Sequence, residues 1–124
     1  MILFIDDEPG YMHYCILAFE LEGYQVTVAT RPSDALNMVR KHHDIEVIIL
    51  DLMMPLDIDT LEDINGYTTG ETLLNAIRKI KPKVPVIIHS IVSDKDRDFG
   101  PNVYFMPKSG RFSPLVDFVK TLTK

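Results

Sequence analysis

The 124-residue sequence contains a single cysteine, Cys15, so it can form no internal disulfide and offers no cysteine-based zinc site. Basic residues are the scarcer charged class, 13 against 18 acidic ones, and the net charge is −5. A surface of that sign repels phosphate, which argues against direct binding of nucleic acid. No apolar run approaches the roughly 20 residues needed to span a bilayer. The N-terminus reaches Asp6 with no basic flank, so it does not read as a signal peptide. Internal repeats and low-complexity tracts are also missing. These absences fit a reducing, cytoplasmic setting with no membrane contact. What is there is the balance of a packed domain, 46% hydrophobic and 25% charged residues. Residues 1–124 are one domain's length, enough to bury roughly two-thirds of the unfolded surface without staples.

Short apolar runs alternate with longer amphipathic stretches. Residues 2–5 (ILFI), 25–29 (QVTVA), 46–50 (EVIIL), 84–89 (VPVIIH) and 103–106 (VYFM) read as five strands. Residues 9–22 read as a helix opened by Pro9 and stopped by Gly23. Ser33 or Asp34 is the expected cap of a second helix running to about His42. Residues 70–80 place Leu73, Leu74 and Ile77 on one helical face. A last helix over 113–123 is expected to be capped by Ser113, with Pro114 at its first position. The first helix carries two apolar stripes, one of Tyr14, Leu17, Ala18 and Leu21, the other of Met12, Ile16 and Phe19. Only one can face a sheet. The other is either covered by neighbouring segments or docks a helical partner, and docking is the reading preferred.

Alternating strands and helices imply a parallel sheet covered on both faces. In such sheets the binding crevice lies at the carboxyl ends of the strands. Those ends carry Asp6 and Asp7, then Asp51, Ser90 and Lys108. Clustered carboxylates repel one another and stay ionised only around a cation. All-oxygen donors point to magnesium. A carboxylate, with a reference pKa of about 4, is already ionised at neutral pH and attacks a phosphoryl group without a base. Charge on the phosphoryl oxygens then needs neutralising, which magnesium and the Lys108 ammonium supply, while Ser90 donates a hydrogen bond.

This constellation resembles the response-regulator receiver family (CheY-like) of two-component signalling. The likeness rests on ILFIDDEP (2–9), VIILDLMMP (47–55), PVIIHS (85–90) and YFMPK (104–108), and spans nearly the whole chain. It implies a flavodoxin-like, doubly wound sheet of five parallel strands in the order 2-1-3-4-5. It further implies that Asp51 is the phosphoacceptor and Asp7 a direct magnesium ligand. Asp6 would bind the ion through water, with the backbone carbonyl of Met53 as a third protein ligand. Ser90 matches the switch hydroxyl, Lys108 the lysine that pairs with phosphoryl oxygens, and Phe105 the switch aromatic, with Tyr104 a near competitor. The implied function is phosphorelay signalling. Asp51 receives a phosphoryl group from the phosphohistidine of a sensor histidine kinase or a histidine phosphotransfer protein, docked on the first helix. No chemistry beyond this self-phosphotransfer and slow autodephosphorylation is expected, and a phosphorylation-driven homodimer is left open. The sequence ends just after the last helix, so the domain either acts alone or is excised from a larger protein.

The chain departs from the family pattern at several points. Residues 55–69 exceed the usual connection by about two to three helical turns of 3.6 residues. Four acids lie in that loop, Asp57, Asp59, Glu62 and Asp63, but Leu61 and Glu62 stand where a calcium loop needs a ligand and a glycine. Residues 93–99 leave room for only a shortened fourth helix. Ser109 follows Lys108 where a proline is usual, so a cis bond need not form there. Two alternative readings follow: an interaction module that works without phosphorylation, and a haloacid-dehalogenase-type phosphatase. The latter wants an acid two residues after the nucleophile, where Met53 stands. Among the other polar residues, Glu8 reads as a first-turn acid favoured by the helix dipole rather than a ligand, and His89 as a packed or hydrogen-bonded strand residue rather than a phosphate acceptor. Ile91, bulky where the family has a small residue, is expected to slow phosphoryl entry or hydrolysis. The phosphorylated form should therefore differ in lifetime between wild type and Ile91→Ala, and equal lifetimes reject the idea.

Overall fold

A computed structural model describes residues 1–51, 69–90, 99–108 and 111–123, and for residues 9 and 69–71 the backbone alone. Its elements are β1 (Ile2–Ile5), α1 (Pro9–Leu21), β2 (Val26–Ala29), α2 (Pro32–Lys41), β3 (Val47–Leu50), α3 (Thr69–Ile80), β4 (Val86–Ser90), β5 (Val103–Pro107) and α4 (Ser113–Leu122). The strands form one parallel sheet in the order β2-β1-β3-β4-β5, as the sequence leads one to expect. The long connection 55–69 and the segment 93–99 lie outside the described residues, but for the last residue of each. No helix among the described residues is long and apolar enough to cross a membrane.

β1 and β3, at the centre of the sheet, are apolar at every position because both faces of the sheet are covered. Leu3, Ile5, Ile48, Leu50 and Ile88 point to the layer of α2 and α3, where they meet Ala35, Leu36, Val39, Leu73, Leu74 and Ile77. Alternate residues Ile2, Phe4, Val47, Ile49 and Ile87 point the other way, onto Met12, Cys15 and Phe19 of α1 and Leu115, Val116 and Val119 of α4. Burying each large side chain of this kind stabilises the fold by about 1.5–3 kcal/mol. On α1 the stripe through Met12 and Phe19 faces the sheet, whereas Tyr14, Leu17 and Leu21 stay exposed, Leu21 by 88%.

Registry sets the functional end. Ile2 pairs with Val47 and Ile5 with Leu50, so the next residues, Asp6 and Asp51, leave the sheet level with each other. The Asp51 amide donates to the Ile5 carbonyl at 3.0 Å, which extends that alignment by one residue. At the far end of the sheet the Arg78 guanidinium donates to the carbonyls of Lys81 and Val84 after α3 and of Pro101 and Asn102 before β5. One side chain thus ties the turn into β4 to the turn into β5.

Two helix starts differ from expectation. Arg31, extended and with no side-chain cap, precedes α2, so Ser33 and Asp34 lie inside the first turn. Phe112 precedes α4 and Ser113 is its first residue. In both, a proline at the helix start fixes the backbone and removes one orphan donor, which lessens the need for a capping oxygen. The end of α1 is as expected. Gly23 has φ of 90°, its amide donates to the Glu20 carbonyl at 3.0 Å, and the Tyr24 amide donates to the Phe19 carbonyl at 3.1 Å. The Phe19 and Tyr24 rings close this left-handed stop with an edge contact at 6.0 Å. Gly23→Ala is expected to lower stability by about 1 kcal/mol, because a Cβ disfavours that φ. At Gly10, helical and with nothing within 4 Å of an added Cβ, alanine should raise stability by up to about 1 kcal/mol. Chemical denaturation of both variants checks the opposite signs.

Candidate functional site

The carboxyl ends of β1, β3 and β5 meet around one ammonium group. Lys108 Nζ lies 2.8 Å from Asp6 Oδ2, 3.2 Å from Asp51 Oδ2 and 3.2 Å from Glu8 Oε1. The side chains of Lys108, Asp6 and Asp51 are only 5%, 1% and 3% exposed. The Lys108 amide donates to the Ser90 carbonyl at 3.0 Å, so β4 sets where the lysine leaves β5. Asp6 Oδ1 accepts the Glu8 amide at 2.9 Å, which holds the carboxylate across the start of α1. Asp6 Oδ2 is buried, with the Lys108 ammonium 2.8 Å away as its ion-pair partner.

One carboxylate oxygen from each of Asp6, Asp7, Glu8 and Asp51 lies within 4.8 Å of the others. Four hard oxygen donors, two of them buried, fit a divalent cation of the magnesium class. Burial pushes the Asp6 carboxyl above its ordinary range despite Lys108, with the charge of Asp51 adding to the rise. Burial opposes the Lys108 ammonium too, but Asp6 and Asp51 outweigh it, and its pKa stands above that of a free lysine. The pocket therefore prefers bound positive charge.

The family described as the response regulator receiver domain matches residues 2–99. The chain belongs to that family. It is 31% identical over 86 residues to the response regulator SaeR of Staphylococcus aureus, a match covering 69% of this chain and 32% of SaeR. The chain thus spans about a third of the length of the curated relatives it matches. Among solved structures, the receiver domain of the hybrid histidine kinase CckA is similar with a TM-score of 0.77 and 26% identity, over 99% of this chain and 98% of that one. The response regulator TrrA of Thermotoga maritima, solved in complex with Mg(2+)-BeF, gives a TM-score of 0.79 and 25% identity, over 98% and 96%.

Of the residues singled out in the sequence, the receiver fold gathers Asp6, Asp7, Asp51 and Lys108 into one pocket. Ser90 is fully buried at the end of β4, opposite Pro107 of β5. Phe105 is half-buried against the α2–α3 layer, while Tyr104 faces the opposite layer and meets Phe118 edge-on at 5.1 Å. Met53, Ile91 and Ser109 lie outside the described residues. Glu8 is a correction. It sits at the cap position before α1, not in the first turn, and its carboxylate joins the pocket. The signal that could have found it is its place directly after the Asp6–Asp7 pair.

Replacing the lysine tests the electrostatics. Lys108→Met leaves buried carboxylates without their cation and should lower stability by about 3 kcal/mol at neutral pH. Millimolar magnesium should recover part of that loss, and more than it adds to wild type. Thermal unfolding with and without the ion measures both. A variant as stable as wild type in metal-free buffer contradicts the assignment.

Proposed function

We propose that this receiver domain, residues 1–124, is a phosphorylation-controlled switch of a cytoplasmic two-component pathway, with Asp51 as phosphoacceptor. The observation that carries the reading is the Lys108 ammonium held between buried Asp6 and Asp51 at the strand ends. An Asp51 carboxylate oxygen attacks the phosphorus of a partner's phosphohistidine. An oxygen–phosphorus bond forms, the nitrogen–phosphorus bond breaks, and the imidazole leaves and takes up a proton. Lys108 needs only a small shift from Asp51 to meet the new phosphoryl oxygens. Asp7, Asp51 and the Met53 carbonyl would ligate magnesium, with Asp6 acting through water. Bound there, the ion supplies charge neutralisation for the transferring group. The chain's own part is to hold these donors in place and keep Lys108 charged. The Ser90 hydroxyl would donate to the phosphoryl group, and Phe105 would follow it as the switch aromatic.

The chain acts on itself in this scheme and turns over no other substrate. Its donor is a sensor histidine kinase or a histidine phosphotransfer protein. The exposed Tyr14, Leu17 and Leu21 on α1 favour that helix as the docking surface for the donor's helices. Incubation with acetyl phosphate and magnesium should add the mass of one phosphoryl group to wild type and none to Asp51→Asn. Wild type that gains no mass, and shows no spectral change with beryllofluoride, would instead support an interaction module independent of phosphorylation.

A further inference from the structure

Tyr11, in the first turns of α1, has no part in the chemistry above, yet its ring lies against the lysine at the centre of the site. The Lys108 ammonium is 4.9 Å from the ring centroid, within the range at which an aromatic face attracts a cation. The ring is itself fixed from behind. Its hydroxyl meets His89 Nε2 at 2.5 Å, and His89 Nδ1 meets the Met106 carbonyl at 2.9 Å. A carbonyl only accepts, so Nδ1 carries the proton and Nε2 accepts from the Tyr11 hydroxyl. His89 is buried in β4, and burial lowers its pKa and favours this neutral form. Phe112, just before α4, packs edge-on against the same ring at 5.5 Å.

A lysine has a long flexible stem and a compact charge with no directional preference of its own. The carboxylates around Nζ draw it most strongly towards Asp6, the nearest of them. The Tyr11 face adds a second attraction that does not depend on any carboxylate. The anchoring chain from Tyr11 through His89 to Met106 joins α1, β4 and β5, the last being the strand that delivers Lys108.

We propose that Tyr11 is a positioning residue of this site: its ring face holds the Lys108 ammonium beside Asp51, and His89 fixes the ring. The proposal rests on the reading of Asp51 as phosphoacceptor with Lys108 meeting the phosphoryl oxygens. Initial rates of phosphoryl incorporation from acetyl phosphate and magnesium, followed by intact mass over a range of donor concentrations, test it. Tyr11→Met should lower the rate about tenfold without changing its dependence on donor concentration. Tyr11→Phe, which keeps the ring, should stay within about threefold of wild type. Phe19→Leu removes a ring from the same layer and loses stability, but should transfer at the wild-type rate. A wild-type rate in Tyr11→Met, or equal slowing in Phe19→Leu, overturns the proposal. Unlabelled wild type overturns the phosphoacceptor reading instead. The positioning claim then stands or falls on proton NMR of the wild-type chain, which also decides it if Tyr11→Met does not fold. The Lys108 ε-methylene protons should lie upfield of those of exposed lysines, shifted by the ring current, and coincidence with the exposed lysines overturns the claim.

Discussion

One ammonium group makes the acidic end of this sheet tenable. Two like charges about 4 Å apart repel by about 4 kcal/mol at an effective dielectric constant of 20, and nearly buried carboxylates have little water to spread that charge. Asp6 and Asp51 are in this position, and burial, with the Asp51 charge adding to it, raises the Asp6 pKa. Lys108 offsets the repulsion from the neighbouring side of the sheet, and the carboxylates in return keep the lysine charged despite its burial. The balance remains acidic, with Asp7 and Glu8 added to the pair, a charge state that suits a further cation. A pocket in that state is poised: any group that changes the charge on Asp51 must change where Lys108 rests.

The two helical layers treat the sheet differently. On the α2–α3 side the described core is apolar, with a polar link near the start of the sheet from the Thr27 hydroxyl to the Met1 sulfur at 2.8 Å. The α1–α4 layer contains the Tyr11–His89 hydrogen bond and the Tyr11–Phe112 contact, so it has directional links as well as area. These links run from the mouth of the pocket to the start of α4. They lie on the same side of the molecule as the exposed stretch of α1 that holds Tyr14, whose ring stacks near that of Phe112 at 6.4 Å.

Much of this was legible in the sequence, for physical reasons. Strands covered on both faces must be apolar throughout, so ILFI and VIIL announced β1 and β3, and the acids that follow them announced the crevice. Lys108 could be placed because it directly follows a strand. The choice between the two stripes of α1 was not legible, since both are apolar and periodicity cannot rank them. Arg31 and Phe112 were missed as the residues before α2 and α4, because prolines lowered the demand for the polar caps that usually mark such sites. The pairing of Tyr11 with His89 bridges 78 positions and has no local signature. Glu8 was misjudged because a first-turn acid and a pocket acid differ there by a single residue.

The level pairing of β1 with β3 also governs how this chain can change. Both strands are four residues long, and each delivers an aspartate from the same row of the ladder. Side chains alternate faces along a strand, so gaining or losing one residue within either would swing its acid to the opposite layer, away from Lys108. Chain added between elements has no such effect, because loop closure becomes only slowly more costly with length. Insertions are thus ruinous within β1 or β3 and cheap in the connections outside them.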